Sequence, residues 1–253
     1  MPHDWDAATY DRIADPQARW GAPVVGWLDL DGDETVLDAG CGTGRVTEAV
    51  LERLRGGRLI GLDGSAAMLA AARRRLGHRT GPSGRLWLLA ADLAAPLPLA
   101  PESLDAIIST ATFHWIADHQ TLFRRLAAVL KPGGQLAAQC GGAGNIASVR
   151  AALHRVTGAA VHPDRWDFST PEQARERLER AGFVEVETWL TEEPTHYTDR
   201  AELESFLKTV VLWPFLEGRP EAEHDAFVTR VAGELPGMTL DYVRLNLRAR
   251  LSG

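Results

Sequence analysis

The stretch TVLDAGCGTGR, Thr35 to Arg45, joins a short apolar run to a helical pattern through an acid and three glycines. Thr35 to Asp38 is brief, apolar and ends on a carboxylate, as a strand buried on both faces does. Beyond it, Val46, Val50, Leu51 and Leu54 recur on one face of a helix predicted from Gly44 to Leu54. Between them, Gly40, Gly42 and Gly44 let the backbone turn sharply and approach a ligand where a Cβ would stand, ahead of helix N–H groups that can face an anion. A strand, a glycine turn and a helix open an α/β sheet.

The same alternation continues. Arg58 to Asp63, Arg85 to Ala90 and Leu104 to Ser109 read as further buried strands, and Ala66 to Leu76 as a helix with Met68, Leu69 and Leu76 inward. A helix from Asp118 to Leu130 stops at Lys131 to Gly134 (KPGG), and Gln135 to Cys140 follows as a fifth strand. Crossover helices between strands call for a mainly parallel, doubly wound sheet. After Cys140 the pattern changes. Asn145 is the expected N-cap of a helix from Ile146 to Val156, Thr170 to Gln173 (TPEQ) is a capping box, and Phe183 to Leu190 reads as a strand. Leu240 to Leu251 alternates with period two, the pattern of one half-buried antiparallel strand with Arg244, Asn246 and Arg248 on its polar side.

The expected organisation is one domain over residues 1–253. Residues 1–30 form an N-terminal helical cap and 31–140 a cofactor-binding core; 141–182 and 194–236 supply helical cap segments, and 183–193 with 237–253 the final strands. A net charge of −7 and a pI near 5.6 argue against nucleic acid or an anionic membrane as the main partner. Two cysteines in interior-looking stretches exclude a disulfide scaffold, and the first 25 residues hold no signal-length apolar run, so a cytoplasmic location is expected. No metal-ligand spacing is evident.

In open α/β sheets ligands bind beyond the carboxyl ends of the strands. Here those ends carry Asp38 with the three glycines, then Asp63 and Gly64, then Asp92, then Thr110 to Trp115. A nicotinamide fingerprint, G-x-G-x-x-G, would need glycine at position 45, where Arg45 stands. Asp38, just before the turn, suits a ligand with an ammonium or sulfonium beside its carboxylate better than a pyrophosphate. Asp63 lies 23 residues after Gly40, a separation suited to an acid that holds a ribose diol. Asp92 is placed to accept from an adenine amino group, with apolar Ala91 and Leu93 beside it, and its place at the third strand end favours this over merely capping the next turn. An amino-acid carboxylate, a cation, a ribose and an adenine describe S-adenosylmethionine.

As a set, VLDAGCGTG (36–44), GLDGSAAML (61–69), ADLAAPLP (91–98), LDAIISTATFHWIAD (104–118) and VLKPGGQL (129–136) resemble the class I S-adenosylmethionine-dependent methyltransferases. The resemblance implies a seven-stranded Rossmann-like sheet with its last strand antiparallel. It also implies cofactor contacts from Asp38, Gly40, Cys41, Gly42, Gly44, Asp63, Gly64, Met68, Ala91, Asp92, Leu93 and Thr110, with S-adenosylhomocysteine as product. Thr110 stands where the family commonly has asparagine. WDAATYDRIAD near the N-terminus and FHW after the fourth strand are similar to the trans-aconitate methyltransferase group and, less closely, to the malonyl-carrier-protein methyltransferases of biotin synthesis. Both groups esterify carboxylates, and the resemblance puts Tyr10 near the sulfonium.

The expected activity is therefore methylation of a small molecule, foremost the oxygen of a carboxylic acid. Alternatives are a hydroxyl, nitrogen or carbon acceptor in a secondary metabolite, a catalytically silent S-adenosylmethionine-binding regulator, and a nicotinamide-dependent dehydrogenase. His114 and Trp115 are candidates for the acceptor pocket, with His114 the base only if the acceptor is not already an anion. Arg165 and Trp166 are candidates to clamp an anionic acceptor, and Arg244 is the strand arginine best placed to face a cleft. Cys41 reads as a small buried filler rather than a nucleophile, and the stripe Val210 to Leu216 as helical core.

Overall fold

The computed structural model describes residue 7 and residues 15–80, 84–158 and 166–253. Its strands are β1 (Thr35–Ala39), β2 (Arg58–Asp63), β3 (Leu86–Ala90), β4 (Leu104–Thr110), β5 (Leu130–Gly141), β6 (Phe183–Glu192), β7 (Thr195–His196), β8 (Thr239–Leu240) and β9 (Val243–Leu251). Seven of them form one sheet in the order β3-β2-β1-β4-β5-β9-β6, while β7 and β8 pair separately. β9 runs antiparallel to both β5 and β6, whereas the five strands from β3 to β5 are mutually parallel.

Two apolar layers sandwich this sheet. One is built around Leu37, Ile107, Phe113, Phe123 and Leu136; the other packs Val36, Ala106 and Ile108 against Val24, Val50 and Leu54. Adjacent residues of one strand thus feed opposite faces, which is why these strands read as unbroken apolar runs. The helix Pro171–Arg180 packs Ala174 and Leu178 into the first layer. A third core lies above the C-terminal rim, where Trp20, Leu153, Trp166, Phe206, Leu207, Val231 and Tyr242 meet. Within it the stripe Val210 to Leu216 is largely buried, as expected, but Leu207–Val211 is a π-helical turn.

Four local expectations are corrected. β5 begins at Leu130 rather than Gln135, because Leu130 pairs with Leu104 and the register shift before Ala106 absorbs KPGG. The expected strand from Leu240 is two strands: Tyr242 N donates to Leu240 O at 3.0 Å, and the turn lifts Asp241 out of the sheet. The Asp241 carboxylate accepts from Ser148 N at 3.0 Å and so caps the helix Ala147–Thr157 in place of Asn145. Asn145 instead accepts from Val243 N at 2.9 Å and anchors the start of β9. Finally, Arg244 and Asn246 are not on a solvated face. At 2% and 1% exposure they are buried, because β9 is an interior strand whose upper end lies beneath the third core. Only Arg248 and Arg250, farther along, reach the surface, where both meet Asp29.

Candidate active site

The carboxyl ends of β1, β2 and β4 and the segment after β3 converge on a cavity of about 430 Å³, in the range of small-molecule sites. The three glycines of the first turn all take left-handed φ values, +87°, +54° and +87°, but each for its own reason. A Cβ on Gly40 would stand 2.1 Å from Thr112 Oγ1, and one on Gly44 would stand 2.9 Å from Leu76. Those two admit neighbouring parts of the protein. Gly40 and Gly42 both line the cavity, but a Cβ on Gly42 would meet nothing within 4 Å, so of the three this is the glycine with open space beside it for a ligand.

The turn is no anion nest. Gly40 N and Cys41 N donate to Leu62 O, and Gly44 N donates to Cys41 O. Gly42 N donates to Asp63 Oδ2 at 2.8 Å, and Ser65 N donates to the other oxygen, Asp63 Oδ1, at 2.9 Å. Asp63 is thus held rigidly on the cavity wall by the backbone, and burial raises its carboxyl against the opposing pull of those N–H groups. Asp92 also reaches the wall while accepting from Ala94 N at 2.8 Å, so it caps its turn and faces the cavity at once. Gly64, Met68, Leu93 and Thr110 complete this half.

Asp38, Cys41, Gly44 and Ala91 lie behind the wall rather than on it. Asp38 is 1% exposed; Thr47 Oγ1 donates to its Oδ2 at 2.6 Å, and its Oδ1 has no hydrogen-bond partner. Burial pushes this carboxyl up to about 7, opposed by the Thr47 hydroxyl and helped by the charge of Asp63. Cys41 packs beneath Gly61, with its thiol pushed up by burial and by the same two acids, which fits a filler and not a nucleophile. Tyr10 and Arg165 fall outside the described residues.

The other half of the cavity is aromatic. After β4, Ala111 holds a strained left-handed φ of +55°, and His114 and Trp115 follow on a 3-10 turn. His114 is buried, and its Nδ1 accepts from Gly141 N at 3.3 Å. The ring is therefore neutral with its proton on Nε2, and burial, then Arg244, then His119 hold its pKa well below the usual histidine range. In that tautomer His114 offers the cavity a donor, not a base. Arg244 lines the cavity, with its guanidinium 4.7 Å from the centre of the Trp20 ring.

Trp166 and Phe168 reach the wall because the residues between and after them are tied down. Asp167 N donates to His114 O at 2.9 Å. Arg177 Nη1 bridges Asp167 Oδ2 at 3.0 Å and Ser169 Oγ at 2.6 Å. His119 closes the cluster through Phe113 O at 2.8 Å, with burial lowering its pKa and Asp167 opposing. Sequence reasoning missed Phe168, Tyr242, Trp213 and Ile146 as wall residues. Phe168 and Tyr242 each stand two positions from a named candidate, a spacing that shares a face in extended chain, so a signal for them existed. Ile146 faces the cavity from a left-handed φ of +47° that no β-branched residue advertises.

A family model described as a methyltransferase domain matches residues 36–134. Over most of the chain the similarity is narrower. The trans-aconitate 2-methyltransferase of Paracidovorax citrulli is 30% identical over 237 residues, 89% of this chain and 86% of its own length. That of Delftia acidovorans is 34% identical over 248 residues, 89% and 87%. The chain belongs to the trans-aconitate methyltransferase family of S-adenosylmethionine-dependent methyltransferases. Among solved structures, a phosphoethanolamine N-methyltransferase 2 of Haemonchus contortus in complex with S-adenosyl-L-methionine aligns with a TM-score of 0.65 at 20% identity. That alignment covers 97% of this methyltransferase and 56% of the other, longer chain, and it speaks for the fold.

S-adenosylmethionine fits the polar half of the cavity. The open space at Gly42 admits backbone-close atoms, the immobilised Asp63 carboxylate has lone pairs left for a diol, and Met68 and Leu93 flank the wall near Asp92. The unpartnered Asp38 Oδ1 lies behind the wall, where a cationic ligand would favour the ionised form of this raised carboxyl.

Proposed function

We propose that this methyltransferase esterifies a carboxylate oxygen of a small organic acid. The observation that carries the reading is Arg244, a guanidinium 2% exposed on the wall of the aromatic half. In a low-dielectric wall its charge attracts an anionic acceptor and repels a cationic one, so an amine acceptor is disfavoured. Its planar fork also matches a carboxylate bidentately. The names of the relatives, trans-aconitate 2-methyltransferases, support an acid acceptor.

The chemistry that S-adenosylmethionine supplies when bound is a methyl group already activated by a sulfonium. A carboxylate is ionised at neutral pH, so the chain needs no base, and neutral His114 acts as an orienting donor through Nε2–H. Arg244 anchors the acid, Trp115 and Trp166 exclude water, and Asp63 and Asp92 set the donor side. Alignment of this kind is worth up to about 7–11 kcal/mol in favourable systems. Both cysteines are buried free thiols, in keeping with a reducing cytoplasm, and among the described residues no helix is long and apolar enough to cross a membrane.

Arg244→Met tests the reading. Losing a charged hydrogen-bonding partner, worth about 1.5–3 kcal/mol, raises KM for the acid roughly 10–100-fold, while calorimetric affinity for S-adenosylhomocysteine stays near wild type. An unchanged KM in a variant that still binds S-adenosylhomocysteine refutes the role of Arg244. Methylation of an alcohol or amine with no acid turned over refutes the acid acceptor.

A further inference from the structure

We propose that Asp167 and Arg177 are positioning residues: their ion pair, behind the cavity wall, fixes Trp166, Phe168 and His114 in the aromatic half; this rests on the reading above that this half receives the acceptor. Trp166 to Thr170 belong to no helix or strand, so periodic backbone hydrogen bonding does not set where the two rings stand. Asp167, between them, supplies the tie at their level. Its N–H donates to His114 O at 2.9 Å. Its Oδ2 accepts from Arg177 Nη1 at 3.0 Å, and its Oδ1 accepts from the Ser169 hydroxyl. Arg177 Nη1 also donates to Ser169 Oγ at 2.6 Å. With side chains 15% and 28% exposed, Asp167 and Arg177 are better shielded from water than an ordinary surface pair.

The pair is anchored in rigid parts of the fold. Arg177 lies on the helix Pro171–Arg180, whose Ala174 and Leu178 enter the first apolar layer. His119 opens the helix His119–Val129, which sends Leu122, Phe123 and Leu126 into the same layer. His119 Nε2 donates to Phe113 O at 2.8 Å, while its Nδ1 stands 3.7 Å from Asp167 Oδ2. One cluster therefore holds two consecutive carbonyls of the turn, those of Phe113 and His114. Gly141 N holds the His114 ring from another side, at 3.3 Å. Trp166 and Phe168 flank Asp167 in the chain, and both line the cavity with His114. Alignment set by such outer contacts is sensitive, since a displacement of about 1 Å can cost about 100-fold in rate.

Arg177→Met removes the guanidinium and changes no residue of the wall. In the ligand-free variant, hydrogen exchange at Asp167 N and Gly141 N is expected to accelerate about tenfold or more. Leu59 N, which donates to Arg85 O at 2.8 Å at the amino end of β2, is expected to keep its wild-type rate. With trans-aconitate as the acceptor probe, kcat/KM is expected to fall about 10–100-fold. Calorimetric affinity for S-adenosylhomocysteine stays near wild type, and Arg177→Lys, which keeps a cation, recovers part of the lost kcat/KM. Asp105→Ala is the control for stability alone, because it frees Thr35 N and Lys131 Nζ at the amino ends of β1 and β4 and leaves kcat/KM unchanged. Unchanged exchange at Asp167 and Gly141, equal acceleration at Leu59, or a wild-type kcat/KM in Arg177→Met overturns the inference. The exchange measurement needs no acceptor. Wild-type methylation of an alcohol or amine with no acid turned over overturns the carboxylate reading instead, and exchange at Asp167 and Gly141 still decides the positioning role.

Discussion

Replacing Gly40 and Gly42 by alanine, one at a time, should separate a glycine that serves packing from one that serves the ligand. Both positions have left-handed φ, +87° and +54°, so each alanine costs about 1–2 kcal/mol of backbone strain. At Gly42 the new methyl meets nothing within 4 Å, and the stability loss ends there. For a chain of this length that lowers Tm by roughly 2–8 °C. At Gly40 the methyl would stand 2.1 Å from Thr112 Oγ1 and 2.4 Å from Thr112 Cγ2, so overpacking adds about 1–3 kcal/mol. Gly40→Ala should therefore be the less stable variant by roughly the overpacking alone. The affinity order is reversed. Gly42→Ala puts its methyl into the cavity and should weaken S-adenosylhomocysteine at least about tenfold, or 1.4 kcal/mol. Thermal melts and calorimetry on both variants read the two quantities separately. Thr112→Gly removes the clashing side chain and should restore part of the stability of Gly40→Ala, a coupling that a double-mutant cycle measures. The reasoning fails if Gly42→Ala binds S-adenosylhomocysteine as wild type does, or if Thr112→Gly gives Gly40→Ala no relief.

Three further outcomes are expected. Asp38 has its folded pKa raised from 3.8 to about 7; the folded state holds that proton more tightly than the unfolded chain, so its contribution to stability is lost as pH rises through that window. About 4 kcal/mol is the upper scale of the loss, and Asp38→Asn should remove it from denaturant-unfolding curves of the ligand-free protein at pH 4 to 8; parallel curves for the two proteins would count against it. For His114, the pH profile of kcat/KM should keep its shape in His114→Gln while its height falls, because the buried ring is already neutral; loss of a limb between pH 6 and 8 in the variant would restore the base. Asp241→Ala removes the distant cap on Ala147–Thr157 and should cost about 0.5–2 kcal/mol in equilibrium unfolding, whereas Asn145→Ala should leave that helix capped and loosen the start of β9, read by hydrogen exchange at Val243.

The two halves of the cavity differ in how far they could be read in advance. Gly40, Gly42, Asp63 and Asp92 follow one another at strand ends in the first half of the chain, where period and glycine placement dictate both fold and rim. Their geometry is local: Asp63 is positioned by backbone within two residues of it and by a turn 21 residues earlier. Thr170 to Gln173 was equally legible, since a capping box is closed within four residues and both of its hydrogen bonds form. Arg244 was legible as the strand arginine best placed to face a cleft, but its burial was not. Its alternation with Tyr242 and Asn246 suggests a solvated face, and nothing nearby in sequence reveals that β9 inserts between β5 and β6 under a helical cap.

The difference has a physical origin. Strands, crossover helices, glycine turns and strand-end acids are written in short-range periodicity and backbone sterics, so the sequence alone determined the doubly wound sheet and the donor-side rim. Which carboxylate caps Ala147–Thr157, and which rings stand around Arg244, depends on contacts such as Asp241 to Ser148, 93 residues apart. Such contacts arise when the cap closes over the sheet and buries Trp166, Phe206 and Tyr242 together. Burial, not spacing, turns Arg244 from a strand charge into a buried cation on the cavity wall, and burial is a property of the assembled chain.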